Sequence, residues 1–214
     1  LIVINYLAAI CVVQCVIALL ISRNPWVKDF VDSFLGGDGF MGKVENRMYG
    51  IGCALDVAGL KFSCVLVSIP FVVMNGLCQS KLQTTICWIA YLVIAVVGNM
   101  IGRTTSVGVV VSLIYILVHC IFYGYREFLK SHVLPLLLLM VALLPLLIYL
   151  YNNSPKTRED LRFGFEGFFS LAETGRWETN SNNRLSDMFV LPDNPKTWII
   201  GDGYFDNPYS DPNF

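Results

Sequence analysis

The chain has 214 residues, of which 55% are hydrophobic and 14% charged, and its mean hydropathy is +0.60. Soluble domains typically carry about 25% charged residues, so this composition excludes an ordinary soluble globule and points to a membrane protein. The 15 Lys+Arg and 16 Asp+Glu leave a formal net charge of -1, so no basic excess argues for nucleic acid and no acidic excess for a solvating tail.

The sequence opens on Leu1 inside an apolar run and closes on Phe214 in an Asn/Asp/Pro-rich stretch, as expected for a piece of a longer polytopic chain. The first run lacks a basic leader and a small-residue cleavage site, so it does not resemble a signal peptide. A spanning helix needs about 20 mostly apolar residues. That length predicts about five spans, at roughly 2–22, 62–78 (or from near 53), 84–101, 106–125 and 133–151. Lys61 stands at the edge of the second span and Pro70 lies inside it, which predicts a tilted or kinked helix with a snorkelling lysine. The fold class expected is therefore all-α integral membrane, with residues 1–151 as the helical region and 152–214 as a large outer loop with short helices.

After the first span, Trp26, Val27, Phe30, Val31, Phe34 and Leu35 recur at helical spacing. Asn24 suits the N-cap and Pro25 the first turn, Lys28 and Asp32 sit four apart on the polar side, and Gly36-Gly37 ends the run. A second stripe, Leu161, Phe165, Phe168, Phe169 and Ala172, follows the last span. Either stripe suits the membrane surface or the protein's own spans, and self-docking is the favoured expectation.

Basic residues prefer the cytoplasmic side of short loops. Lys81 and the loop 126–132 therefore go inside, which leaves 23–52, the turn at Arg103 and the tail from Asn152 outside. The seven cysteines all lie in or beside apolar runs, with no spacing of a disulfide framework or zinc site, and are expected to pack as small apolar residues.

Arginine at the outer boundary recurs. Arg47 precedes a span in Arg47-Met48-Tyr49-Gly50-Ile51-Gly52, and Arg103 sits in the turn Gly102-Arg103-Thr104-Thr105-Ser106. Arg184 falls in an expected short helix opened by asparagines. Guanidinium stays charged and pairs bidentately with phosphate oxygens, so such a set suits a lipid diphosphate; headgroup anchoring is the alternative. Asp56 would be costly inside the bilayer unless it paired with Arg47 or handled protons, and is interfacial if the span starts after Lys61. His119, expected toward the inner end with Ser112 and Tyr115 nearby, is not taken as catalytic. Glu166, Glu173, Asp187 and Asp202 are the available acid/base carboxylates. Asp202, Asp206 and Asp211 do not follow an EF-hand pattern, so no metal is expected. Hydrolase-elbow, Walker and dinucleotide motifs are missing.

These residues resemble the bacterial O-antigen polymerase and O-antigen ligase superfamily, closest to surface or capsular polysaccharide polymerases. Arg47-Met48-Tyr49-Gly50 is similar to that family's Arg-x-x-Gly entry to a span, and Gly102-Arg103-Thr104-Thr105 to its arginine turn. The run from Arg184 through Asp193-Asn194-Pro195 to Gly201-Asp202-Gly203-Tyr204-Phe205 resembles its large-loop signature, the most specific of the three. With the order of spans, the resemblance covers nearly the whole sequence.

What it implies is a glycosyltransferase in the bacterial inner membrane, with the large loop periplasmic. It would polymerise undecaprenyl-diphosphate-linked oligosaccharide without a cofactor, with a chain-length regulator and a flippase as further partners and no nucleic acid. Arg47, Arg103, Arg184 and Asp56 would bind substrate, and Arg103, Arg184, Asp187 and Asp202 would serve catalysis. The family's ligases carry a histidine beyond the Gly-x-Gly-x-Phe element, and 207–214 has none, so the base stays open. The alternatives are a ligase that hands the chain to lipid A core, and a lipid-linked oligosaccharide flippase or other transporter, although no internal repeat is evident.

Overall fold

The computed structural model describes residues 1–35, 48–51, 55–123 and 134–187, with side chains at all of these except 35, 55, 56, 123, 134–140, 143, 146, 184 and 187. The described residues are all-helical, without a strand. In chain order the helices are α1 (Ile2–Arg23), α2 (Pro25–Leu35), α3 (Leu55–Met74), α4 (Lys81–Ile101) and α5 (Thr105–Tyr123). They continue with α6 (Leu134–Asn153), α7 (Pro155–Gly164), α8 (Glu166–Thr174) and α9 (Asn180–Asp187).

Four helical stretches are long and apolar enough to cross a membrane: Ile2–Arg23, Val57–Met74, Lys81–Ile101 and Thr105–Phe122. The fifth expected span is helical as well, over the 20 residues of α6, with Pro145 inside. The second span begins earlier than its most conservative reading. Helix α3 runs from Leu55, so Lys61 lies within the spanning stretch and is exposed, while Pro70 is buried inside a continuous helix. The helix stops at Met74 rather than 78 because Gly76 takes φ +65. There the Gly76 N–H donates to the Val73 carbonyl (3.1 Å) and the Leu77 N–H to that of Val72 (3.1 Å), a pairing that closes the free carbonyls of a helix end.

Helices α3 and α4 form the centre, with 56% and 50% of their spanning residues buried against 17% for α1 and 17% for α5. Phe62, Leu66, Ile69 and Val73 recur along the inner face of α3 and meet Trp88, Tyr91, Ile94 and Ile101 of α4. Helix α1 enters through a stripe of small side chains, Ala8, Cys11, Cys15 and Ala18, which allow backbones to approach closely. The α3–α5 crossing is tighter still. A Cβ on Gly108 would fall on the Ser63 backbone, and one on Gly59 would collide with Thr104. At that crossing the Ser63 hydroxyl donates to the Thr104 carbonyl (2.8 Å) and accepts from the Gly108 N–H (3.2 Å).

Cys11, Cys15 and Cys87 are buried as expected, but Cys64 faces outward on α3; no disulfide joins the described cysteines. Ser112 turns to Tyr91 (2.7 Å), and the Tyr115 hydroxyl accepts from Asn75 (2.9 Å). His119 therefore lies beside Tyr115, ring centroids 6.0 Å apart, rather than being served by Ser112.

The chain divides into two compact units, Leu1–Phe169 and Ser170–Phe214. Residues 152–169, at the start of the expected outer loop, thus pack with the helical region. In the second unit Gly175, at φ 73, ends the turn after α8, and the Ser170 hydroxyl donates to the Arg176 carbonyl (2.9 Å). The expected helix at Arg184 is present as α9, but its cap is Thr179, whose hydroxyl accepts from the Asn182 N–H (3.1 Å).

Candidate functional site

The turn between α4 and α5 is held from below. The Thr105 hydroxyl, fully buried, donates to the Gly98 carbonyl (3.1 Å). The single proton of the Ser106 hydroxyl is shared between Asn99 Oδ1 (2.7 Å) and the Arg103 carbonyl (2.7 Å), and buried Asn99 donates in turn to the Ala95 carbonyl (2.6 Å). Two of the three hydroxyls that the sequence places after Arg103, those of Thr105 and Ser106, therefore serve the backbone around the turn. Their effect is to fix where the arginine leaves it.

Arg103 is held on three sides. Its Nε–H donates to the Phe163 carbonyl (3.1 Å), its guanidinium carbon lies 4.2 Å from the centre of the Phe163 ring, and Nη1 pairs with Glu166 Oε2 at 2.5 Å. The side chains of Arg103 and Glu166 remain 22% and 25% exposed, while Oε2, the carboxylate oxygen that meets the guanidinium, is itself buried. Gly164 permits this approach, because a Cβ there would press on the backbone of Asn99 and Met100 at the end of α4. The break at Phe165, between α7 and α8, brings Glu166 round to the guanidinium.

The same segment is tied to the end of α1. Asp160 is buried, accepts from the Ser22 hydroxyl (3.1 Å), and lies 3.6 Å from Arg23 and 3.9 Å from Lys156. Arg23 also donates to the Ser154 hydroxyl (2.9 Å), and that hydroxyl caps α7 by accepting from the Thr157 N–H (3.3 Å). Burial pushes the Asp160 carboxyl above its ordinary range, against the opposing pull of Lys156, the Ser22 bond and Arg23. The end of α1, the 102–104 turn and the 154–166 segment thus share one end of the bundle, the grouping that alternation of the spans predicts.

The stretch expected as one stripe from Leu161 to Ala172 is two helices rather than one. Leu161 packs on the core, Phe169 stacks on Tyr151 (5.9 Å) and under Arg162 (5.3 Å), and Phe168 is exposed.

Of the other site residues expected from sequence, Arg47 and Asp202 lie outside the described residues. Tyr49, two positions after Arg47, is buried and donates from its hydroxyl to Asp32 (2.7 Å). Burial first, then Asp32, raises the phenol above its usual value. Asp32 is thus claimed by Tyr49, and no ion pair links it to Lys28 among the described residues. Asp56 is in the first turn of α3, immediately before the spanning stretch, and its side chain is outside the described set, as are those of Arg184 and Asp187 on α9. Among the residues expected to bind substrate or serve catalysis, Arg103 is the one whose side chain is described.

Sequence reasoning missed Asp160 and did not join Glu166 to Arg103. A signal for the first existed, since Lys156 and Asp160 are four apart in a helix opened by Ser154-Pro155. The second had none, because the 63 positions from Arg103 to Glu166 are brought together only by the docking of α7.

Fold and composition together define a helical membrane protein, with four helices long and apolar enough to span. Comparison with protein-family models, curated proteins and solved structures gives no match.

Proposed function

We propose that the chain belongs to an integral membrane glycosyltransferase that polymerises undecaprenyl-diphosphate-linked oligosaccharide repeat units into O-antigen or capsular polysaccharide. The observation that carries the proposal is the setting of Arg103. A guanidinium pinned at Nε and stacked on an aromatic ring, at the end of a bundle of spanning helices, already holds a carboxylate, and a phosphate oxygen is an acceptor of the same kind. In this reading the anion that replaces the carboxylate is a diphosphate at the membrane boundary.

In this reading a hydroxyl of one sugar chain attacks the anomeric carbon of another. The new C–O bond forms as the bond to the diphosphate oxygen breaks, and undecaprenyl diphosphate leaves. Arg103, displaced from Glu166 by the diphosphate, stabilises the negative charge that develops on that leaving group, with Arg47 and Arg184 as further cationic partners. The hydroxyl proton passes to a carboxylate, with Asp187 and Asp202 as the sequence candidates. In this reading the protein sits in the bacterial inner membrane, and the end of the bundle carrying Arg103 faces the periplasm along with the tail from Asn152.

The test is reconstitution of the full-length protein in liposomes with undecaprenyl-diphosphate-linked repeat units. Carriers bearing two or more repeats, lost with Arg103→Ala, support the polymerase. Carriers that cross the bilayer without lengthening would replace it with the transporter reading.

A further inference from the structure

Helix α2 has three distinct sides. Val31 packs with Ile21 of α1 and with Tyr49, and Val27 joins that cluster from one turn earlier. Lys28, Asp29 and Ser33 are exposed on the far side, where Asp32 holds the Tyr49 hydroxyl. Between these two arcs, Trp26, Phe30 and Phe34 follow one another at four-residue spacing and are 73%, 54% and 75% exposed. Their rings form a continuous row, Trp26 stacked on Phe30 at 5.9 Å and Phe30 edge-on to Phe34 at 5.0 Å.

We propose that α2 lies in the membrane–water interface and that the Trp26, Phe30 and Phe34 row inserts into the headgroup–acyl boundary of a lipid bilayer. The depth of α2 follows from its link to α1. Only Asn24 separates α2 from a helix long and apolar enough to span, and one residue reaches at most about 3.6 Å, so α2 starts where the hydrocarbon ends. Asn24 fixes the turn by accepting from the Trp26 N–H (3.0 Å) through its side chain.

Aromatic rings concentrate at membrane interfaces, and amphipathic helices there bury their apolar side by about 5–10 Å while their charges stay in water. Among the described residues, docking on the protein's own spans engages the two valines and leaves the aromatic row exposed. Val13, Val16 and Leu20 keep α1 apolar on its exposed side up to its last turn, and Trp26 is the second residue of the helix that follows. This proposal needs only membrane residence and is independent of sugar transfer.

The experiment uses the full-length protein in phosphatidylcholine vesicles carrying lipids brominated near either the carbonyl or the methyl end of the acyl chain. Subtracting the fluorescence of a Trp26→Phe variant isolates Trp26 from Trp88, Trp177 and Trp198 and keeps an apolar ring in place. The expected Trp26 component is blue-shifted, shielded from aqueous iodide, and loses more intensity to the shallow bromines than to the deep ones. A component quenched by iodide and untouched by either lipid would overturn the proposal. So would one silent to all quenchers, which would place the row against protein, a second copy of this chain included, and so would strongest quenching by the deep bromines.

Discussion

Glu166 lies 2.5 Å from Arg103, 63 positions earlier in the chain, and occupies the Nη1 face that an anionic ligand would need. If the carboxylate is a placeholder for phosphate, Glu166→Gln removes a competitor. The affinity for undecaprenyl diphosphate should then rise. Titration of the detergent-purified protein checks this. Weaker binding by Glu166→Gln would instead make the carboxylate a positioning group for the guanidinium.

Arg103→Lys keeps the charge but loses the planar stack on Phe163 and the Nε–H bond to its carbonyl. The expectation is loss of chain elongation with helical content and membrane insertion unchanged. Circular dichroism and membrane fractionation beside the elongation assay read both. Full elongation by the lysine variant would show that charge alone suffices there.

The α3–α5 crossing has no room for a side chain at Gly108, since a Cβ would meet the Ser63 backbone. Gly108→Leu should therefore destabilise the bundle by about 1–3 kcal/mol, the usual cost of overpacking a filled site. Thermal unfolding in detergent measures it, with Val107→Leu, on the exposed side of the same helix, as the near-neutral control.

Asp160 gives a pH dependence with a defined sign. Its folded-state pKa is raised above the ordinary 3.8, so the folded protein binds the proton more tightly than the unfolded chain. The stability this contributes is complete below 3.8 and declines as pH rises through the elevated folded value. Docking of α7 on α1 should thus be tighter in mild acid than at neutral pH, and Asp160→Asn should flatten the profile. Hydrogen exchange over residues 155–164 at the two pH values tests it, and a loosening in acid would contradict the sign.

Much of the fold was legible because a membrane solvent makes simple demands. Length and apolarity alone located the runs that became α1, α4 and α5, and the one-residue link at Asn24 with Pro25 announced α2. The end of α3 was harder to place, because Leu77 and Cys78 continue the apolar run while Gly76, at positive φ, stops the helix. The split of the second aromatic stripe at Phe165 was invisible for a related reason, since only the docking of Gly164 on Asn99 and Met100 dictates it. The site was legible one residue at a time. Arg103 stood out by its turn, but its partners Phe163 and Glu166 depend on a tertiary contact that no spacing encodes.

Joining of lipid-linked repeat units is read out by a gel profile of carrier-linked and surface polysaccharide. It compares a strain lacking the gene with the same strain after the gene is restored. Single repeat units should accumulate on the carrier in its absence, and the ladder of longer chains should return with it. A ladder unchanged by the deletion would contradict the claim, and so would long chains that build up on the carrier without reaching their acceptor.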